Sequence, residues 1–259
     1  MDLGIRGKRA LVCASSQGLG HACAASLSRE GAIVILNGRD EEKLARAAGA
    51  LSAETGGEVL RVAADLSTEE GRGLILASVG EVDILVNNNA GPPPGALADW
   101  DHDALIGAIE MNMIPAVLMM RAFIPGMRAR KFGRIVNITS AMVKSPHPLM
   151  GLSTSARAGL TAISKALSRE VAVDNVTINN LLPERIDTPR QAFMVDRMMK
   201  TEGVDHETAR RRIADTIAAK RFGLPREFGD ACAYLCSQQA SFISGQNLQI
   251  DGGSYEGLI

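Results

Sequence analysis

Short apolar runs alternate along the chain with longer stretches in which apolar positions recur at helical spacing. The runs at 10–14, 33–36, 59–63, 84–87, 134–139, 177–182 and 247–250 predict strands. They are almost continuously apolar, as strands are when both faces of their sheet are covered. Helical patterns fall near 19–30, 41–54, 68–79, 103–131, 154–173 and 225–238. Such alternation implies right-handed βαβ crossovers, hence an α/β fold of three αβα layers around one doubly wound parallel sheet. Residues 189–224 break the alternation, being charged and helical without a strand, and are expected to form a substrate lid on a single domain spanning 1–259. No linker, repeat or low-complexity tract divides the chain, and Pro92-Pro93-Pro94 reads as a stiff local bend.

Composition narrows the function. The 259 residues carry a formal net charge of −1 and are 46% hydrophobic, enough for a large core. That balance argues against a broad basic footprint for nucleic acid and against a polybasic membrane patch. The apolar stretch 106–127 is interrupted by Glu110, Asn112 and Arg121 and reads as a buried helix, not a membrane span. Asp2, Arg6, Lys8 and Arg9 at the start leave no apolar core for a signal peptide. Cys13, Cys23, Cys232 and Cys236 form no C-x-x-C pair and have no nearby His to complete a metal site, so no metal is expected. Free buried thiols fit a reducing cytoplasm.

The first strand runs into Ala14-Ser15-Ser16-Gln17-Gly18-Leu19-Gly20 and then a helix. Glycines there let the backbone approach a pyrophosphate, and the free N–H groups of the helix start attract the anion. The position after a first strand is what makes the cluster informative, since an ordinary strand-to-helix turn also contains glycine. The second strand ends in Asn37-Gly38-Arg39. An acidic residue there would favour NAD, whereas Gly38 leaves room and Arg39 offers a planar cationic fork for a 2′-phosphate, so NADP(H) is expected. The competing reading of Arg39 is a solvated arginine paired with Asp40 or Glu41.

Taken in order, these segments resemble the short-chain dehydrogenase/reductase family over essentially the whole chain, nearest to its 3-oxoacyl-carrier-protein reductase-like members. The glycine motif carries Ala14 in place of its first glycine. Asp65-Leu66 matches the pair that flanks the adenine, and Asp83 to Ala90, including Asn88, matches the family's D-x-L-V-N-N-A-G segment with Asn89 and Ala90 at its last two positions. Asn112 matches the helix asparagine of the catalytic tetrad, and Asn137-Ile138-Thr139-Ser140 brings the catalytic serine. Pro183 to Thr188 matches the P-G motif, in which the Ile186 and Thr188 positions hold the nicotinamide carboxamide, with Glu184 replacing glycine. Ser244-Gly245-Gln246 and Asp251-Gly252-Gly253 match the C-terminal signature. The resemblance implies a Rossmann-type fold, NADP(H), a ketone or secondary alcohol as substrate, and a homotetramer paired through the long helices, where Met119, Met120 and Phe123 serve either that surface or the core.

The departure lies in the tetrad. Counting the family spacing from Ser140 places Ser153 where the family has tyrosine and Arg157 where it has lysine. Positions four apart share a helix face, so both aim at one crevice. A serine hydroxyl donates a hydrogen bond but is too weak an acid to supply a proton unaided, and arginine stays charged while being suited to an oxyanion, carboxylate or phosphate. Replacement acids are Lys144, His147 and, less directly, Tyr255, each with an ordinary alternative as a rim or loop residue, while Tyr234 is expected in the core. Ser140 is the expected principal oxyanion donor, unless it only caps the next turn, and Asn112 either supports the site or is merely satisfied inside its helix. Three functions stay open. The first is an NADP(H)-dependent reductase or dehydrogenase with an atypical proton donor. The second is a coenzyme-binding protein without reductase activity, a redox sensor or partner subunit. The third is a lyase-like or hydrolytic reaction on the same scaffold, as in halohydrin dehalogenases, which carry Arg at the lysine position but keep the tyrosine and discard the nucleotide site.

Overall fold

The computed structural model describes residues 2–258. Seven parallel strands form one sheet: β1 (Arg9–Val12), β2 (Ile33–Gly38), β3 (Val59–Ala63), β4 (Ile84–Asn87), β5 (Gly133–Ile138), β6 (Val176–Pro183) and β7 (Asn247–Ile250), in the order β3-β2-β1-β4-β5-β6-β7. Nine α-helices among the described residues connect them: α1 (Gly18–Arg29), α2 (Glu41–Thr55), α3 (Glu69–Val79), α4 (His102–Asn112), α5 (Ile114–Ala129), α6 (Gly151–Val171), α7 (Pro189–Glu202), α8 (His206–Asp215) and α9 (Pro225–Leu235). The chain leaves β1 for β2 and β3 on one side and returns to β4 on the other. This opens a crevice at the carboxyl ends of β1 and β4, where α/β sheets bind ligands.

Helices cover both sheet faces, which explains the continuous apolar runs in the strands. On one face Cys23 and Leu27 of α1, Leu44 and Leu51 of α2, and Phe228 and Cys232 of α9 bury against Val12, Leu36 and Val86. On the other, Ile75 of α3, Met119, Met120 and Met127 of α5 and Leu160 of α6 pack on Leu11, Leu85 and Ile135. Each fully buried apolar side chain contributes about 1.5–3 kcal/mol. All four cysteines are free and buried. Tyr234, expected in the core, is instead 40% exposed, because it falls on the outer side of α9 while Cys232, Ala233 and Leu235 face inward.

The single helix expected over 103–131 is two. Pro115 has no N–H for the carbonyl four residues earlier, Met111, and the chain breaks at Met113. The Met111 carbonyl instead accepts from Asn89 Nδ2 at 3.0 Å, so the break docks the α4–α5 junction on the loop after β4. The expectation of a buried helix holds only for its sheet-facing side. His102–Ala129 is long and apolar enough to cross a membrane by length and composition, 33% of its most apolar window is buried, and Leu105, Ile106 and Ile114 are exposed.

Two features fix the crevice end of the sheet. Asn87, Asn137, Asn180 and Asn247 stand opposite one another in register on β4 to β7. Their amides form a directed row, Asn87 Nδ2 to Asn137 Oδ1 at 2.8 Å, Asn137 Nδ2 to Asn180 Oδ1 at 3.1 Å, and Asn180 Nδ2 to Asn247 Oδ1 at 2.8 Å. Asn137 also donates to Ser164 Oγ on α6. The second feature is the turn after β1, where Ala14 takes φ +46 and Gly18 φ +63, left-handed conformations that glycine adopts freely and alanine does not.

Asn137→Ala is expected to cost about 2–4 kcal/mol in urea unfolding, because it orphans a buried donor on Asn87 and a buried acceptor on Asn180. Ala14→Gly is expected to stabilise by about 0.5–1 kcal/mol, the relief of left-handed strain outweighing glycine's extra freedom in the unfolded chain, and a shift of the urea midpoint measures it.

Candidate active site

The turn between β1 and α1 is shaped from three sides. Ser15 is fully buried and its hydroxyl donates inward to the Val12 carbonyl at 2.7 Å. Its Oγ also accepts from Asn37 N at 3.1 Å, so the Ser15 side chain, expected to bind coenzyme, is spent joining β1 to β2. Asn88 reaches back from the loop after β4 and donates Nδ2 to the Ala14 carbonyl at 3.1 Å, so one of its amide donors grips the turn. Gly20 is required by packing, since a Cβ there would lie 2.6 Å from the Ala14 carbonyl oxygen. Above Gly18 the space is open, with no atom within 4 Å of where its Cβ would be.

Helix α1 starts at this opening with Gln17 as N-cap, no side-chain cap and no acidic residue in its first turn. Its leading N–H groups therefore face the crevice, an arrangement that attracts an anion. Leu19 packs on the core beneath, while Gln17 Oε1 accepts a close hydrogen bond from Lys43 Nζ. Lys43, not singled out from the sequence, lies in the first turn of α2 beside Arg39. Arg39 is exposed and its nearest acid is Asp65, at 3.9 Å, not Asp40 or Glu41. A Cβ on Gly38 would lie 3.3 Å from Leu44 Cδ1 and 3.6 Å from Ser16 Oγ, so glycine fits closely between Leu44 and Ser16. Leu66, next to Asp65, is buried and borders a small cavity shared with Asn87, Asn112 and Arg157.

At the other end of the crevice, β5 delivers Ser140 and α6 delivers Ser153 and Arg157. Ser140 caps the turn Ala141–Val143, its Oγ accepting from Met142 N at 3.2 Å. The cap occupies a lone pair and leaves the hydroxyl hydrogen unspent. Ser153 is buried, and its Oγ accepts from Arg157 Nε at 3.1 Å. Again the acceptor side is occupied and the O–H is left to donate. Arg157 Nη1 donates to the Ile138 carbonyl at 3.2 Å, which pins α6 to the end of β5. Arg157 has no carboxylate partner among the described residues. Burial, and after it the charge of Arg190, lower its pKa to about 10.

Asn112 ends α4 just before the break, and its Nδ2 donates to the Ala90 carbonyl in a short hydrogen bond. Its Oδ1 is buried without a partner, as is Asn87 Oδ1. A Cβ placed on Gly91 would lie 3.1 Å from Arg157 Nη2, 3.6 Å from Asn112 Oδ1 and 3.7 Å from Ser153 Oγ, so the three side chains converge on one point.

The rim comes from three segments. Lys144 places its ammonium 5.4 Å from the centre of the Tyr255 ring. His147 is exposed and caps the following turn, its Nδ1 accepting from Leu149 N at 3.2 Å. Glu184 pairs with Arg185 at 3.1 Å; burial raises its pKa, Arg185 and His147 oppose that and Asp251 adds to it. Beyond it Ile186 is buried, bridged to Gly223, and Thr188 is the N-cap of α7. Helices α7 and α8 occupy the charged stretch after it and bury their own small core of Val195, Ala209, Ile213 and Phe222. Arg190, also not singled out from the sequence, sits in the first turn of α7 against the Phe193 ring.

Residues 13–255 match the family described as enoyl-(acyl carrier protein) reductase. The chain is 32% identical over 253 residues to the 3-oxoacyl-[acyl-carrier-protein] reductase of Salmonella typhimurium, covering 98% of this chain and 99% of that one. It is 33% identical over 258 residues to the oxidoreductase YvaG of Bacillus subtilis, covering 98% of each. Among solved structures, L-sorbose reductase from Gluconobacter frateurii, complexed with NADPH and L-sorbose, superposes with a TM-score of 0.94 at 33% identity over 100% of both chains. The parallel seven-stranded sheet, the glycine turn at its switch point and these likenesses make the chain a member of the short-chain dehydrogenase/reductase family of oxidoreductases.

Proposed function

We propose that the protein is an NADP(H)-dependent oxidoreductase that interconverts a ketone and a secondary alcohol, with Ser153 and Arg157 in the places of the family's tyrosine and lysine. The observation that carries the reading is the pair of hydroxyls, Ser140 and Ser153, each with its acceptor side held by a fixed N–H donor and its own O–H free. Hydride arriving at a carbonyl carbon leaves negative charge on the oxygen, and oriented donors in a water-poor site are the largest single means of stabilising it. The Arg157 cation beside Ser153 strengthens that hydroxyl as a donor.

Several features support the coenzyme. The open space above Gly18 and the uncapped start of α1 suit a pyrophosphate, and Ser16, Arg39 and Lys43 suit a 2′-phosphate. Ile186 and Thr188 would hold the carboxamide end, and Asp65 and Leu66 would flank the adenine. NADPH supplies the hydride when bound. Relatives in complex with NADPH or NADP support the same choice.

Ser153 stands where the family has its tyrosine, so the proton must come from another group. Lys144 is the ordinary acid on the loop that carries Ser140, and its place at the rim beside Tyr255 suits delivery to an alkoxide held by the two serines. Asn112, tied to the Ala90 carbonyl, positions the wall opposite Arg157. Helices α7 and α8 act as the lid over the site, and the protein works as a homo-oligomer in the cytoplasm.

The test is a panel of 3-oxoacyl esters, diketones and sugar ketones offered with NADPH, followed by loss of reduced-nicotinamide absorbance. Turnover of at least one class is expected. Tight NADPH binding without turnover of any would instead favour a coenzyme-binding protein that does not reduce.

Ser140→Ala is expected to lower kcat about 10²–10³-fold while leaving NADPH affinity unchanged, as loss of one oxyanion donor does; steady-state kinetics and calorimetry read the two effects. Arg39→Ala is expected to weaken NADPH about 10–100-fold and NADH hardly at all, measured by titration of nicotinamide fluorescence.

A further inference from the structure

Helix α8 meets the segment after β6 at one ion pair. Arg210 of α8 donates Nη1 to Asp187 Oδ1 at 3.1 Å and Nη2 to Asp187 Oδ2 in a short hydrogen bond, so both carboxylate oxygens are held by the two prongs of one fork. The same guanidinium lies 4.3 Å from the centre of the Phe222 ring, and Phe222 belongs to the small core that α7 and α8 share. The backbone is laced to the same place. Asp187 N donates to the Gly223 carbonyl at 2.8 Å, and Gly223 N donates to the Arg185 carbonyl at 3.1 Å. Asp187 is thus fixed through its main chain by the residues after α8 and through its carboxylate by α8 itself.

Both side chains of the pair are 38% exposed, and an ion pair so open to water adds little to stability. A two-pronged one does set direction. The residues on either side of Asp187 show what that direction serves. Ile186 is buried. Thr188 begins α7 as its N-cap, its carbonyl accepting from Gln191 N and Ala192 N. A threonine at an N-cap ordinarily closes its hydroxyl on the helix's own N–H groups, but this one makes no such bond. The hydroxyl and the start of α7 are therefore left for another group. We propose that Arg210 is a positioning residue for the nicotinamide end of the coenzyme, gripping Asp187 from the lid so that Ile186 and Thr188 are held in place for the carboxamide. This rests on the coenzyme reading above. The pair also couples the lid to the coenzyme. Lifting α8 pulls on 186–188, and a nicotinamide seated there holds α8 down by the same free energy.

The experiment titrates two ligands by calorimetry. One is NADPH, and the other is adenosine 2′,5′-bisphosphate, which keeps the 2′-phosphate end and lacks the nicotinamide. The proteins are the wild type, Asp187→Asn, Arg210→Gln and the double variant, in which both charges are gone and none is left unpaired. Arg210→Gln is expected to weaken NADPH about fivefold and the bisphosphate less than about twofold. Asp187→Asn is expected to do the same, and the double variant to bind NADPH no more weakly than either single one, because the two side chains act as a unit. Equal weakening of both ligands marks a general loss of structure and overturns the proposal. So do unchanged NADPH affinity in the single variants and losses that add in the double. Wild-type protein that binds neither ligand refutes the coenzyme reading and the positioning role with it. Wild-type protein that binds NADPH, with variants that bind it equally well, refutes the positioning role alone.

Discussion

A single guanidinium joins the parts of this molecule that matter for chemistry. Arg157 reaches from α6 to the Ile138 carbonyl at the end of β5 and to the Ser153 hydroxyl one turn back on its own helix. The first bond sets the distance between α6 and the strand that carries Ser140. The second decides which way the Ser153 hydrogen points. With no carboxylate partner among the described residues, the cation also sets the electrostatic character of the crevice floor, making it a place for negative charge. Charge developing on a carbonyl oxygen is such a charge.

That arrangement holds only because the surrounding backbone is fixed. The asparagine row across β4 to β7 ties the four strands into one polar layer across the sheet, with Ser164 of α6 joined to it. On the other side of the switch point, Ser15, Asn37 and Asn88 hold the β1–α1 turn in a shape that includes a left-handed alanine. Strain of that kind persists where neighbouring structure overdetermines it, and here it keeps Gly18 under open space at the uncapped helix start. Both ends of the crevice are thus built by polar groups that spend their hydrogen bonds on one another and on backbone and leave a few selected donors free.

The alternation of apolar runs was sufficient to read the sheet, because strands covered on both faces have no other pattern open to them. The break at Met113 was also written in the chain, in Pro115, but helical periodicity continues through it and masks it. The structure puts Gly18 and Gly20 at the start of α1, Ser140 at the end of β5 and Ser153 and Arg157 on α6, as the motif spacing predicts. What a residue bonds to is not legible where side-chain direction decides. Ser15 lies in the motif yet turns inward, because β1 and β2 compete for its hydroxyl, and Asn88 spends one donor on the turn. Lys43 went unnoticed because a charged residue in the first turn of a surface helix looks like a solvated one until the fold shows its bond to Gln17. Tyr234 was misplaced because one residue's rotation on an amphipathic helix separates core from surface.

The proposed chemistry depends on a reduced nicotinamide coenzyme lying across the switch point, for which we propose phosphates at Gly18 and Arg39 and a reactive end beside the serines. Isothermal titration of the wild-type protein with NADPH and with NADH addresses this most directly. Saturable NADPH binding in the micromolar range, clearly tighter than NADH, is the expected result. No heat of association with either nucleotide at millimolar concentration would contradict the account.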